Sequence, residues 1–342
     1  MKNWRTSCIP NNRKYLQIYA ALAALVLAVS LLNLCLGAEK VPLGQVLRAL
    51  VGEGGGTTAF RIVRYVRLPR LCACLLAGGA LAASGAIIQG VLSNALAAPS
   101  TIGVNAGAGL TVALCCAAAP TALHLVPLAA MAGAFLGVMT VLLIARRTGA
   151  SKITLVLGGV AVSTMFSAGI DAVITFVPEA LNGYSDFRIG GFSGVSMARI
   201  LPAFWPALLS FALGLSLHNE TDVLLLGKEQ AQSLGLPAER LRVTLLGLAA
   251  VLAGAAVSVG GLVGFVGLIV PHIMRSLVGE ESGPLLVSSA LGGAALLGGC
   301  DLLGRMLFAP YEIPVGIVMA LAGGPFFIWL LQRRGRLHDW TA

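Results

Sequence analysis

LQIYAALAALVLAVSLLNLCLG, residues 16–37, is a run of 22 residues without a charged side chain, preceded by Arg13 and Lys14. A secretory signal shares that charge order, but its apolar region is only about 7–15 residues long. About 20 apolar residues in a helix cross the hydrocarbon of a bilayer. The run is therefore expected to be a retained first transmembrane helix. The rest of the chain repeats it. Apolar runs recur at 71–91, 101–119, 123–145, 153–177, 200–217, 243–262, 263–278, 285–308 and 314–331, which with 16–36 makes ten candidates. Only Gly260-Gly261 separates the seventh from the eighth.

Composition agrees. Of 342 residues, 57% are hydrophobic and 11% charged, with a mean hydropathy of +0.90. Soluble domains carry about 25% charged residues. This excludes a soluble enzyme, a disordered tail and a disulfide scaffold. The 43 glycines are what closely packed membrane helices use, because small residues let backbones approach. The fold class expected is an all-α integral membrane protein, with 1–342 forming one transmembrane domain. The seven cysteines show neither a CxxC pair nor a His at ligand spacing, so no metal site is expected.

Charge sets the expected orientation. With ten spans and the N-terminus inside, the cytoplasmic segments hold Lys2, Arg5, Arg13, Lys14, Arg146, Arg147, Lys152, Lys228, Arg240, Arg242, Arg275, Arg333, Arg334 and Arg336. That is 14 of the 23 basic residues. The bias follows the positive-inside rule and puts both termini in the cytoplasm. With nine spans Arg333, Arg334 and Arg336 would lie outside, so ten is preferred. The loop 37–70 resists the rule, holding Lys40, Arg48, Arg61, Arg64, Arg67 and Arg70 against Glu39 and Glu53. It reads either as an amphipathic segment at the headgroups or as a cationic platform for an acidic partner.

Three polar features interrupt the apolar pattern. Residues 218–242, HNETDVLLLGKEQAQSLGLPAERLR, have helix-forming composition on both sides of Gly235, and Pro237 is placed to start a new helix. A cytoplasmic helix–turn–helix of this kind is either a protein contact or a solvated connector. Residues 85–109, GAIIQGVLSNALAAPSTIGVNAGAG, set Gln89, Ser93, Asn94 and Asn105 among Gly, Ala and Pro, the composition of a broken helix that lines a cavity or packs against protein. Lone amides here often bond neighbouring helices, but their clustering with Pro99 and Gly103 points to a pathway or gate. Asp171 and Asp301 lie inside spans, where carboxylates mark functional sites. Asp301 stands four residues before Arg305 and reads as a structural ion pair. Asp171 has no local partner; it lines a watery vestibule or pairs with an Arg on another helix. There is no G-x-x-x-x-G-K-[ST], and Gly227-Lys228 is followed by Glu229, so ATP bound by that route needs a separate subunit.

Five stretches in order resemble the membrane subunits of the vitamin B12, haem and ferric-siderophore family of ABC importers. They are RLPR at 67–70, the stretch 85–109, LGKEQAQSLGLPAERLR at 226–242, GFVGLIVPHIMR at 264–275 and CDLLGRMLFAPYEIPVGIVMALAGGPFFIWLL at 300–331. The resemblance covers most of the chain from residue 60 onward. It implies ten helices per subunit and a homodimer or close pseudo-dimer around a central translocation pathway. It also implies two cytoplasmic ATPase subunits carrying ATP and Mg, a soluble binding protein docking outside, and a bacterial plasma membrane. No cofactor in this chain, no nucleic-acid partner and no catalysis by the chain are implied.

By motif position, Arg67 and Arg305 resemble the family's outer-face arginines that accept acidic residues of the binding protein. Gln232, Leu234, Gly235 and Leu236 resemble the coupling helix that meets the ATPase. The turn around Asn94 and Leu96, with Gln89 before it, resembles the inner gate; Ser151 and Asp171 are further gate or pathway candidates. The stretch DFRIGGFSG departs from the family by placing Phe187 and Arg188 where relatives commonly carry Trp. The implied mechanism is alternating access, moving an iron–siderophore complex, or a haem- or cobalamin-type metal chelate. A competing class is an ion-driven secondary transporter using Asp171 and Asp301.

Overall fold

The computed structural model describes residues 12–147 and 152–338, and among them there are helices and no strands. The chain opens with α1 (Asn12–Cys35), then the short α2 (Leu43–Val51) and α3 (Thr58–Arg61). A π-helical stretch, Ile62–Arg67, leads into α4 (Leu68–Leu92). After α5 (Val104–Ala118), α6 (Val126–Arg147) and α7 (Lys152–Phe176) come the short α8 (Ala180–Ile189) and the long α9 (Met197–Ser216). Two short helices, α10 (His218–Leu225) and α11 (Lys228–Ser233), precede α12 (Ala238–Gly260), α13 (Val266–Val278), α14 (Ser282–Met306) and α15 (Val315–His338).

Seven helices among the described residues are long and apolar enough to cross a membrane: Arg13–Cys35, Thr58–Leu92, Leu123–Arg147, Thr154–Phe176, Met197–Ser216, Ala238–Gly260 and Ser282–Met306. Three shorter apolar helices, Val104–Ala118, Val266–Val278 and Val315–Leu330, stand where the remaining apolar runs lie. The seventh and eighth runs are separate. Helix α12 stops at Gly260, and Gly261 and Phe265 adopt positive φ of 70° and 66° before α13 starts. Irregular backbone at the end of an apolar helix needs partners from protein. They are supplied: Leu262 N donates to Phe187 O at 2.9 Å, Gly191 N to Gly260 O at 2.8 Å, and Gly316 N to Gly190 O at 3.1 Å.

The core is built on α4, α12 and α14, which are buried along most of their length, whereas α1, α7 and α9 leave most of theirs exposed. Glycine explains the tightness. A Cβ on Gly78 would stand 2.3 Å from Gly293 O, and one on Gly293 would stand 2.3 Å from Gly78 O, so α4 and α14 touch backbone to backbone. Without water to expel between them, membrane helices associate through such close packing. Exposed apolar side chains such as Leu157, Leu201, Trp205 and Leu209 make the outward faces of α7 and α9 fit for lipid or a second subunit.

Candidate functional site

One end of the bundle gathers the start of α4, the end of α14 and the start of α15. Arg67 and Arg70 are three residues apart and therefore share a face. Both are buried, as are Asp301 and Arg305 at the other side of the α4–α14 seam. Arg70 Nε donates to both Asp301 oxygens, at 3.1 and 3.0 Å, and its Nη2 donates to Oδ1 at 2.9 Å. Its Nη1 reaches Glu312 Oε2 at 2.6 Å, just before α15. Arg305 Nε stands 3.3 Å from Asp301 Oδ2, and its Nη2 donates to Asn33 Oδ1 on α1. The ion pair expected one helical turn apart on α14 is present, with a third member from α4.

Arg67 has a different environment. Its Nη1 donates to Leu34 O, in the last turn of α1, at 2.7 Å and its Nη2 to Glu39 O in the α1–α2 connection. That connection passes so close that a Cβ on Gly37 would stand 2.9 Å from Arg67 Nη2. Arg67 and Arg305 were expected to present themselves on the outer face. They are only 5 and 6% exposed, because backbone carbonyls, Asn33 and Asp301 take the place of water around their guanidinium groups. The cations that are exposed at this end are Lys40, Arg48, Arg61, Arg64 and Arg188. Helix α2 is amphipathic, burying Val46 and Ala49 while Leu43, Leu47 and Val51 stay exposed.

At the opposite end a cavity of about 720 Å³ lies between the end of α4, α10, α13 and the start of α14. Gln89, Ser93 and Asn94 line it, facing Thr221, His272 and Arg275. Gln89 is 2% exposed; its Oε1 accepts from Arg275 Nη1 at 3.0 Å and its Nε2 donates to Gly267 O at 3.3 Å. Arg275 Nε also stands 3.1 Å from Glu280 Oε2. Helix α4 ends in Ser93 with a left-handed φ of 46°, and a 3-10 turn at Pro99–Ile102 precedes α5, so the segment read as broken helix is broken here. Asn94 Oδ1 accepts from Leu96 N at 3.0 Å, shaping the turn, while Leu96 and Asn105 do not line the cavity. Ser151 lies outside the described residues.

Residues 218–242 form helices on both sides of Gly235, as expected. Asp222 Oδ1 of α10 accepts from Ser282 N at 2.8 Å, fastening α10 to the start of α14 beside the cavity. Leu236 N donates to Ala231 O at 3.0 Å and Gly235 N to Gln232 O at 2.9 Å, closing α11 through Gly235 at a φ of 81°. Only residues that tolerate the left-handed region suit that place. Gln232, Leu234 and Gly235 are exposed, Leu234 by 65%, and Leu236 is half-buried against the core.

Asp171 sits apart from both ends' networks. It is exposed on α7, where its carbonyl accepts from the Thr175 hydroxyl at 2.7 Å. Tyr184 on α8 has its pKa raised, first by burial, with Arg188 opposing and Asp171 adding to the rise. The signals that sequence reading passed over are Arg70, Glu312, Asn33 and Arg275. Of these, Arg70 was within reach, since it shares a helix face with Arg67.

Residues 25–333 match the FecCD transport family. The chain belongs to that family. It is 36% identical over 317 residues to the Fe(3+)-citrate import system permease of Bacillus subtilis (strain 168), covering 92% of this chain and 94% of the relative. It is also 36% identical over 319 residues to the hemin transport system permease of Yersinia pestis, covering 90 and 94%. A solved metal-chelate type ABC transporter in an inward-facing conformation superposes with a TM-score of 0.81 at 29% identity, covering 93% of this chain and 99% of that one. This member of the FecCD family is a multi-pass membrane permease of the bacterial inner membrane.

Proposed function

We propose that this FecCD permease is the translocation subunit of an ATP-driven importer for a metal chelate, with an iron–siderophore complex favoured over haem or cobalamin. The observation that carries the reading is the turn at Gly235. The preceding α10 is fastened to α14 beside the cavity at Gln89 and Arg275, while the turn after α11 leaves Gln232 and Leu234 to solvent, as a lever with a free outer end would. A pair of cytoplasmic ATPase subunits holds that end in the proposed assembly, and their closure moves α10 and α14 together. The turn at Asn94 then opens or shuts the inner mouth.

In the proposed assembly ten helices cross the membrane with both termini in the cytoplasm. Two permease subunits enclose the pathway, and the poorly buried α7 faces it. Exposed Asp171 supports that placement, because an ionised carboxylate within a span is costly when turned to hydrocarbon and so faces protein or a watery cavity. A soluble binding protein docks at the Arg67 end, first on the exposed Arg61 and Arg64. It reaches Arg67 and Arg305 as the α1–α2 connection shifts. The chain supplies a path and a lever, and makes or breaks no covalent bond.

The ion-driven alternative loses one of its two carboxylates, because Asp301 is held by Arg70 and Arg305. The test is purification of the tagged permease from its native membranes in mild detergent, followed by reconstitution. Stoichiometric recovery of an ATPase and uptake that stops on ATP depletion support the importer. A permease recovered alone, accumulating solute under a proton gradient without ATP, overturns it.

A further inference from the structure

Arg199, the third residue of α9, is half-buried with no carboxylate at ion-pair distance among the described residues; Arg67 has none either, but both its terminal nitrogens donate to backbone carbonyls. Arg70, Arg242, Arg275 and Arg305 each stand beside a carboxylate. Arg199 Nε donates to Ser258 O of α12 at 3.3 Å, and its two terminal nitrogens donate to no group among the described residues. The single bond fixes the guanidinium against α12 and leaves its fork free. Asp186 and Glu312 line the 490 Å³ cavity on one side of Arg199, but Glu312 is taken by Arg70 and no ion pair joins Asp186 to Arg199.

On its other side Arg199 heads a cleft of about 400 Å³ between the starts of α6 and α9, floored by Ser258. Leu128, Met131, Pro202 and Ala203 form its walls, and His124 shares its mouth with Arg199. The walls run into the apolar outward faces of two membrane-spanning helices, where Leu128 is 54% and Leu201 56% exposed. A small soluble anion would gain nothing from such walls. An amphiphile with an anionic head and a hydrocarbon tail matches both halves, and the bilayer supplies one at very high local concentration.

We propose that Arg199 binds the phosphate of an anionic phospholipid of the outer leaflet, with an acyl chain lying in the α6–α9 cleft. Arg suits phosphate through its planar, bidentate fork. A lipid held there wedges α6 and α9 apart at the end where both lean on α12. The inference rests on α6 and α9 facing lipid, not on how transport is powered, so its failure leaves the importer reading standing.

The experiment uses the intact, delipidated transporter titrated with dioleoyl-phosphatidylglycerol, dioleoyl-phosphatidylcholine and inorganic phosphate, read by native mass spectrometry and thermal unfolding. Phosphatidylglycerol is expected to bind in preference to phosphatidylcholine. One cation near a membrane surface is worth about 1 kcal/mol, so Arg199→Gln should weaken that binding roughly fivefold. Arg199→Lys, which keeps the charge but loses the bidentate fork, should fall between the wild type and Arg199→Gln. Ala198→Trp, at an exposed position on the rim of the cleft, should expel both lipids alike. Equal phosphatidylglycerol affinity in the wild type and Arg199→Gln overturns the proposal. So does inorganic phosphate binding as tightly as the lipid and displacing it, which would make this a soluble-anion site.

Discussion

Arg70 grips Asp301 across the α4–α14 seam, with Nε reaching both carboxylate oxygens and Nη2 adding a third bond at 2.9 Å. The same carboxylate balances Arg305 from one turn along its own helix. One buried anion thus serves two buried cations. Removing one partner of a buried pair leaves an uncompensated charge and costs about 3–5 kcal/mol. Asp301→Asn should therefore lower the stability of the purified permease by about that much, seen as earlier thermal unfolding in detergent. A variant that unfolds with the wild type would make the cluster a dispensable ornament of the seam.

The Arg67 end divides into an exposed and a buried set of cations, and if a binding protein docks there the two should respond differently. Charge reversal of Arg61 and Arg64 together should weaken binding-protein affinity by about tenfold and flatten its salt dependence, because exposed complementary charges steer association. Arg67→Glu would place a carboxylate against the carbonyls of Leu34 and Glu39, so its first effect should be loss of folded protein. Unchanged affinity and salt dependence in Arg61→Glu/Arg64→Glu, with Arg67→Gln folded yet unable to dock, would return the role to the buried arginines.

What could be read from the chain followed the range of the interaction. The apolar runs needed only the bilayer's thickness, and α1, α6 and α14 stand where those runs stand. The Asp301–Arg305 pair is one helical turn and was legible from spacing. Arg70 is 231 residues from Asp301, and nothing local in RLPR announces a carboxylate on a distant helix. The burial of Arg67 was hidden for the same reason, since its partners are backbone carbonyls that every residue carries. Helix α8 was missed because ALNGYSDFRI lacks an apolar stripe; it is held by α5 and by backbone bonds to the α12–α13 connection. The Gly235 turn was legible because its chemistry is local: one glycine for the left-handed residue and one proline at the next helix start.

That turn offers a direct test of coupling. A Cβ on Gly235 would meet nothing within 4 Å, so space is open and only the φ of 81° resists a side chain. Gly235→Asn, which tolerates the left-handed region, should leave uptake near wild type. Gly235→Trp adds bulk where a partner must approach, together with about 1–2 kcal/mol of backbone strain. It should abolish ATP-driven uptake while the ATPase still hydrolyses and the permease stays folded by gel filtration. Retained uptake in Gly235→Trp would remove residues 226–242 from the coupling path.

Asp171 separates the two ways of powering transport. It lies inside a long helix and outside the arginine cluster, exposed on α7, and Tyr184 of α8 feels its charge. In an ATP-driven importer it does no more than keep a stretch of the pathway wet. Asp171→Asn preserves its shape and most of its hydration. A substitution of this kind at an exposed site is worth at most about 0.5 kcal/mol, so uptake into proteoliposomes should change by no more than about twofold. An ion-coupled carrier would lose its proton-binding group and with it all accumulation against a gradient. Loss as complete as that from an ATPase-dead partner, with initial downhill flux preserved, would therefore place the driving force in this chain.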